Sequence, residues 1–193
     1  MASTGLKKAK YNKLDETTGK YAALKDGVPC LKRIIDEKFA PEYNSVELYA
    51  DDALAETDYS FKKGSLTITI ADDDDERDAF LMGNTVTEGE VVKAIDDTAP
   101  EVGYGHIVKK QVNGVKKHKV EFFPRVKFTK ITTDGKTRGE NVEFGTTSVE
   151  ATVFPLEKDF NGMTAGTWEM HKTFDTEAEA EAYLDACLTP SAS

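Results

Sequence analysis

Histidine, cysteine and tryptophan are scarce in this 193-residue chain, with three, two and one of each. His106, His118 and His171 are too few and too scattered to suggest a histidine metal site, and each is expected to serve packing or charge pairing. Cys30 and Cys187 stand in no redox or zinc spacing, so two free thiols in a reducing compartment are expected. The chain holds no GxSxG, P-loop, GxGxxG or HExxH sequence. The acidic run Asp72-Asp73-Asp74-Asp75-Glu76 lacks the alternating ligands, central glycine and distal glutamate of a calcium loop, and reads as a solvated helix start. No catalytic, cofactor-binding or metal residues are therefore expected. No apolar run approaches the ~18–20 residues of a membrane span. The opening MASTGLKKAK has no apolar core of a secretion signal, so a soluble, unexported chain is expected. Basic residues are also outnumbered, 25 against 35 acidic, for a net charge of −10 and a pI near 4.9. Such a chain is not expected to grip nucleic acid by counterion release, although like charge lets it face a polyanion without sticking.

What the chain does have is alternation. Residues 101–131 are the stretch around which the rest is organised. Val120, Phe122, Val126 and Phe128 share even parity with Pro124 between the pairs, which predicts a strand with one buried face and a bend at the proline. Asn113-Gly114 between Val112 and Val115 is the strongest short-range hairpin signal, because a type I′ turn needs positive φ at both central positions. Residues 104–112 and 115–130 are thus read as a long antiparallel ribbon. Counting outward from a two-residue turn pairs Val112 with Val115 and sets His106 opposite Glu121, not opposite His118. Gly103 and Gly105, inside a strand, point to close packing.

The remaining segments read as further strands and two short helices. Residues 1–8 form a small-residue leader, taken as a flexible arm, followed by a short strand at 10–14 and candidate strands at 21–24 and 31–36. Residues 41–63 are expected to protrude as a hairpin or long loop, with strand-like ends and an acidic, loop-like middle at 52–58; such excursions usually meet a partner. Leu66, Ile68 and Ile70 alternate as a strand. Acidic residues ahead of Ala79 and Gly83 after Met82 bracket a short helix. Residues 91–95 form another strand. Val142 and Phe144 differ in parity from Val149, Ala151 and Val153, which predicts a bulge near Gly145. Trp168, Met170 and Phe174 alternate again. Thr176 and Glu179 form a capping box for a last helix whose apolar stripe is Ala178, Ala182, Tyr183 and Ala186. Residues 189–193 form a frayed tail. The sum is one mainly β domain over residues 9–188, an antiparallel sandwich or barrel with helices at its flank.

Several of these stretches in order resemble the major tail proteins of long, non-contractile-tailed phages of Gram-positive bacteria. The matching residues are Gly5-Leu6-Lys7, then Val46-Glu47-Leu48-Tyr49-Ala50-Asp51-Asp52, Gly64-Ser65-Leu66-Thr67-Ile68 and Phe80-Leu81-Met82-Gly83. They continue with Pro100-Glu101-Val102-Gly103-Tyr104-Gly105, Phe123-Pro124-Arg125-Val126-Lys127-Phe128 and Thr137-Arg138-Gly139-Glu140. The likeness spans residues 4–155 and stops at Leu156. It implies a β-sandwich or barrel of the tail tube type that closes side by side into hexameric rings, which stack into a tube. DNA would pass through the lumen without specific binding. The tape measure protein and the tail terminator or tail tip proteins would be further partners, with assembly in the host cytoplasm and residence in the virion tail. The family's long hairpin, here about 41–63, and its terminal arms reach neighbouring subunits, so Tyr49, Asp51, Asp52, Tyr59 and Phe61 are the expected interface residues.

Two other readings compete. One is a β-sandwich module that binds carbohydrate or a host surface through exposed aromatics such as Tyr49, Tyr59 and Trp168. The other is a hydrolase built on scattered carboxylates, of which none is singled out.

Overall fold

Antiparallel pairing dominates the computed structural model, which describes residues 2–24, 27–50, 53–71, 74–133 and 145–190, with side chains for all of these except 2–4, 46–50 and 53–58. The elements in chain order are β1 (Ala2–Asp15), β2 (Lys20–Tyr21), β3 (Cys30–Leu31), β4 (Ile34–Ala50), β5 (Ala53–Ile70) and helix α1 (Asp75–Met82). They continue with β6 (Thr85–Thr87), β7 (Glu90–Val92), β8 (Glu101–Val112), β9 (Val115–Thr133), β10 (Thr147–Val153), β11 (Met170–Phe174) and α2 (Glu177–Leu188). The main sheet runs β2-β1-β8-β9-β10-β5-β4, with β3 added to β1 and β11 to β9, while β6 and β7 form a separate hairpin. The chain is mainly β, consistent with a β-sandwich flanked by two helices.

The β8–β9 ribbon forms as its turn chemistry dictates. Asn113 and Gly114 adopt φ of 50° and 81°, Val112 pairs with Val115, and His106 stands opposite Glu121. The strand does not keep one face throughout, however. Val102 pairs with Val126 and Tyr104 with Phe123, so Pro124 and Arg125 together oppose Gly103 alone. This bulge reverses parity. Phe123, Val126 and Phe128 enter one core cluster, whereas Val120 and Phe122 enter another. The single even-numbered face expected across Pro124 is therefore two faces. A proline, with no N–H to give the ladder, suits the residue left unpaired.

The first core draws on both ends of the strand order, with Ala9 and Tyr11 from β1, Leu66, Ile68 and Ile70 from β5, Tyr104 from β8 and Val149 from β10. The sheet must curl over itself to bring these together. The second core lies on the opposite face, where Ile107, Val120 and Phe122 meet Ala180, Leu184 and Leu188 of α2. That buried stripe differs from the expected one: Ala178, Ala182 and Ala186 are exposed and Tyr183 is half-buried. Both sets repeat every four residues, and the helix buries the face carrying two leucines because they remove more apolar area from water. The expected capping box is present, with Thr176 Oγ1 accepting from the Glu179 N–H at 3.3 Å and donating to the Glu179 carboxylate at 2.9 Å. Helix α1 is capped as expected by Asp74, which accepts from the Arg77 N–H at 3.0 Å, and by Gly83 at φ 73°.

Other boundaries shift. Strand β1 begins at Ala2 instead of at residue 10, because the ribbon offers its edge, with Ala2 opposite Gln111 and Ser3 opposite Lys110. Register shifts on either side of Leu6-Lys7 break the alternation that would have announced this. The strand expected at 91–95 is the shorter β7, paired with β6. Val142, Phe144 and the Asp134-Gly135 turn lie outside the described residues.

Gly103 and Gly105 are packing glycines. A Cβ on Gly103 would sit 2.6 Å from the Tyr21 ring, and one on Gly105 would sit 2.6 Å from Leu184 Cδ1 and 3.0 Å from the Glu121 carbonyl oxygen. The helix thus rests directly on the β8 backbone. Gly105→Ala is expected to lower stability by about 1–3 kcal/mol through overpacking, read as a lower urea midpoint at an unchanged slope.

Candidate functional site

Strands β4 and β5 pair along their whole length, from Ile34–Ile70 to Ala50–Ala53. Their inner parts belong to the sheet, because β10 pairs β5 from Ile70 to Gly64. Beyond Gly64 no third strand joins either edge among the described residues. The outer part, residues 41–50 and 53–63, is a two-stranded arm. At ~3.3 Å per residue, ten residues reach about 30 Å. The loop-like middle expected at 52–58 is strand from Ala53 onward. An isolated two-stranded ribbon is marginally stable in water, and both of its edges present unpaired N–H and C=O groups.

Aromatic packing fixes the base of this arm. Phe61 stacks on Trp168 with ring centroids 4.1 Å apart and planes 10° from parallel. Trp168 also stacks on Phe39 at 5.9 Å, Phe39 meets Phe123 at 4.8 Å, and Tyr43 meets Phe61 edge-on at 6.0 Å. Such pairs contribute about 0.5–1.5 kcal/mol each beyond area burial. Gly64 makes the approach possible, since a Cβ there would lie 2.3 Å from the Phe39 ring. Trp168 is therefore a packing residue at the arm's root, not the exposed aromatic the sequence suggested.

A buried polar group lies beneath. Glu37 of β4 accepts a 2.6 Å hydrogen bond from the Tyr104 hydroxyl. His106 stands between two carboxylates, with Nδ1 3.2 Å from Glu37 and Nε2 3.4 Å from Glu121. Nδ1 makes no hydrogen bond, so its approach to Glu37 is a close contact and not a directed bond. Lys119 reaches Glu121 at 2.6 Å. Burial raises the Glu37 carboxyl above its ordinary value against the opposing pull of His106 and Tyr104. Glu121 goes the other way: His106 and then Lys119 hold it down to about 2 despite its burial. The side chains of His106 and Glu37 are only 3% and 5% exposed, which suits a structural ion group.

Of the five expected interface residues, Tyr49, Tyr59 and Phe61 fall on this arm. Tyr49 lies on outer β4 opposite Leu54, and Asp51 and Asp52 lie outside the described residues. Tyr59, 67% exposed, pairs with Ser45, while Phe61 pairs with Tyr43 and is half-buried against Trp168. Tyr43, Tyr59 and Phe61 share one face of the arm. Sequence reasoning missed Tyr43, Phe39 and the Glu37 group; only the hairpin count, which set His106 against Glu121, pointed toward the last. Among the described residues no three His, Cys, Asp or Glu side chains converge to hold a metal, and no helix is long and apolar enough to cross a membrane.

A carboxyl depressed in the folded state stabilises above its unfolded value and loses that contribution as pH falls through the folded value. Glu121 should therefore cost stability as pH drops from 4.5 to about 2. Thermal unfolding across that window is expected to show a shallower pH slope in Glu121→Gln than in the unsubstituted protein; equal slopes would mean that Glu121 is not held down.

No protein-family model matches this chain, and no curated protein matches it.

Proposed function

We propose that this chain is a structural subunit that polymerises side by side into hexameric rings, stacked into the tail tube of a long, non-contractile-tailed phage. The observation that carries the reading is the arm. A two-stranded ribbon about 30 Å long, with open edges and a rigidly packed root, has little reason to persist on a lone molecule. It suits strand addition or packing onto a neighbour. A contact between two different surfaces of the same chain repeats without self-limiting, giving rings where the rotation closes and stacks where it does not. The resemblance over residues 4–155 supports the same reading, as does the net charge of −10, which would let a lumen conduct DNA without holding it. The arm's face with Tyr43, Tyr59 and Phe61, together with Tyr49, Asp51 and Asp52, supplies the lateral contact. Catalysis has no part in this function, and the tape measure, terminator and tip proteins would meet the finished ends of the tube.

Electron microscopy of the concentrated protein tests this reading, with hollow tubes or stacked rings expected. A shortened arm, made by replacing residues 46–58 with Asn-Gly so that Ser45 and Tyr59 flank the new turn, should leave the circular dichroism spectrum β-rich and abolish these assemblies. Undiminished tubes from that variant would show that the arm is not the lateral contact.

A further inference from the structure

A run of positive charge in this acidic chain lies at the tip of the ribbon. Residues 109–119 contain Lys109, Lys110, Lys116, Lys117 and Lys119 and no acid. Within the ribbon Lys110 stands directly opposite Lys117, Gln111 opposite Lys116 and Lys109 opposite His118, while β1 brings Lys7 and Lys8 alongside. Like charges placed opposite one another on a ribbon are destabilising, so the sequence around α2 supplies counter-charge. Lys7 and Lys109 share Glu177 at 3.4 and 3.9 Å, and Lys8 takes Glu181 at 2.7 Å. Asp175 pairs with Lys117. Crowding by Lys7 holds the Lys109 ammonium below its ordinary value. Lys110 and Lys116, nearest the turn, are paired with no acid among the described residues, and Val115 beside them is 56% exposed. The tip is thus a basic, partly apolar projection.

Its location adds direction. The tip is the Val115 end of the 19-residue β9. At the Thr133 end, Ile131 and Thr133 line a hollow together with Lys93 and with Asp75 and Asp78 of α1, the latter paired with Arg77. The basic tip thus lies at one end of β9 and the acidic first turn of α1, with Asp75, Glu76 and Asp78, stands beside the other.

We propose that the lysine-rich β8–β9 tip docks head to tail on the acidic surface of a second copy of this chain. Charge complementarity selects that partner: with a net charge of −10, another copy offers acidic surface, and the separation of the basic tip from the acidic first turn of α1 favours a repeating contact over a symmetric pair. The contact would be the axial one between rings, so as an account of stacking it rests on the proposed function. Being ionic and solvent-rimmed, it weakens as salt rises.

The test is sedimentation velocity with electron microscopy, comparing the unsubstituted protein, K110E/K116E and the neutral control K110Q/K116Q, each checked for unchanged circular dichroism. Axial association should fall with added sodium chloride. The concentration needed for stacking should rise about tenfold in K110E/K116E, the scale of two lost ion pairs, and less in the control, while single rings still form. Stacking equal in all three proteins at every salt concentration would overturn the tip contact and leave the tube reading standing. Stacks lost together with single rings would place the tip in the lateral contact and also overturn the proposal. Monomers alone from the unsubstituted protein would overturn both readings. A short DNA duplex bound by the unsubstituted protein and not by K110E/K116E, with stacking unaffected, would instead assign the tip to nucleic acid.

Discussion

The bulge at Pro124 and Arg125 is the constraint on which the fold depends. A strand of 19 residues that kept strict alternation would serve one core along its whole length. Two residues set against Gly103 alone turn β9 over, so that its first half packs under α2 and its second half faces the curled sheet. Several interactions hold that point. Glu101 grips Arg125 through two hydrogen bonds of 2.7 and 2.8 Å, Glu157 adds one of 2.6 Å, and the Tyr21 hydroxyl donates to the Pro124 carbonyl at 2.8 Å. Bidentate Arg–carboxylate geometry adds direction as well as energy. The segment after β10 is tied to the same residue, because the Phe154 N–H donates to the Arg125 carbonyl and the Arg125 guanidinium donates to Glu157.

Everything the fold presents outward follows from this division. With the first half of β9 paired to β11 and the second to β10, β5 lies beside β10 and β4 takes the edge. Because β10 is only seven residues long while β4 and β5 run to 17 and 18, the outer parts of β4 and β5 extend past their support. The arm is thus a consequence of unequal strand lengths. At the other end, the turn at Asn113-Gly114 runs past β11, whose pairing stops at His118, and is accompanied by the first residues of β1. One projection is bordered by aromatics and open edges, the other by lysines. They offer different chemistry for different contacts.

What was legible in the sequence was whatever local chemistry dictates. Asn-Gly set the ribbon's register to the residue, Thr176 and Glu179 announced α2, and Gly83 ended α1, because turns and caps depend on neighbours a few positions away. The excursion at about 41–63 could also be placed, from its strand-like ends and from the resemblance, though its middle read as loop. The bulge's effect on parity could not be read, because Val120, Phe122, Val126 and Phe128 show the same spacing whether or not a residue is looped out between them. The face of α2 was likewise ambiguous: two sets of residues spaced by four compete, and which one is buried depends on where the sheet lies. The Trp168–Phe61–Phe39 stack joins three distant segments and leaves no trace in any one of them.

The buried Glu37 group makes sense as a register device for that arm. Charges taken out of water seldom add net stability, but they penalise arrangements that leave one unpaired. Sliding β4 by one residue against β5 would turn Glu37 to the other face. Tyr104 would lose its acceptor, and His106 would keep only one of its two carboxylates. The same slip would move Tyr43 away from Phe61 and carry Phe39 off Gly64, the one nearby position without a Cβ to block its ring. Apolar packing alone would tolerate several such registers, because Val, Leu and Ile substitute for one another with little loss. A carboxylate, a phenol and an imidazole that must meet at 2.6 and 3.2 Å do not. An arm that presents Tyr43 and Tyr59 on a defined face needs that discrimination inside the sheet, where Glu37 stands opposite Ile68, because beyond Gly64 no third strand among the described residues resists a slip.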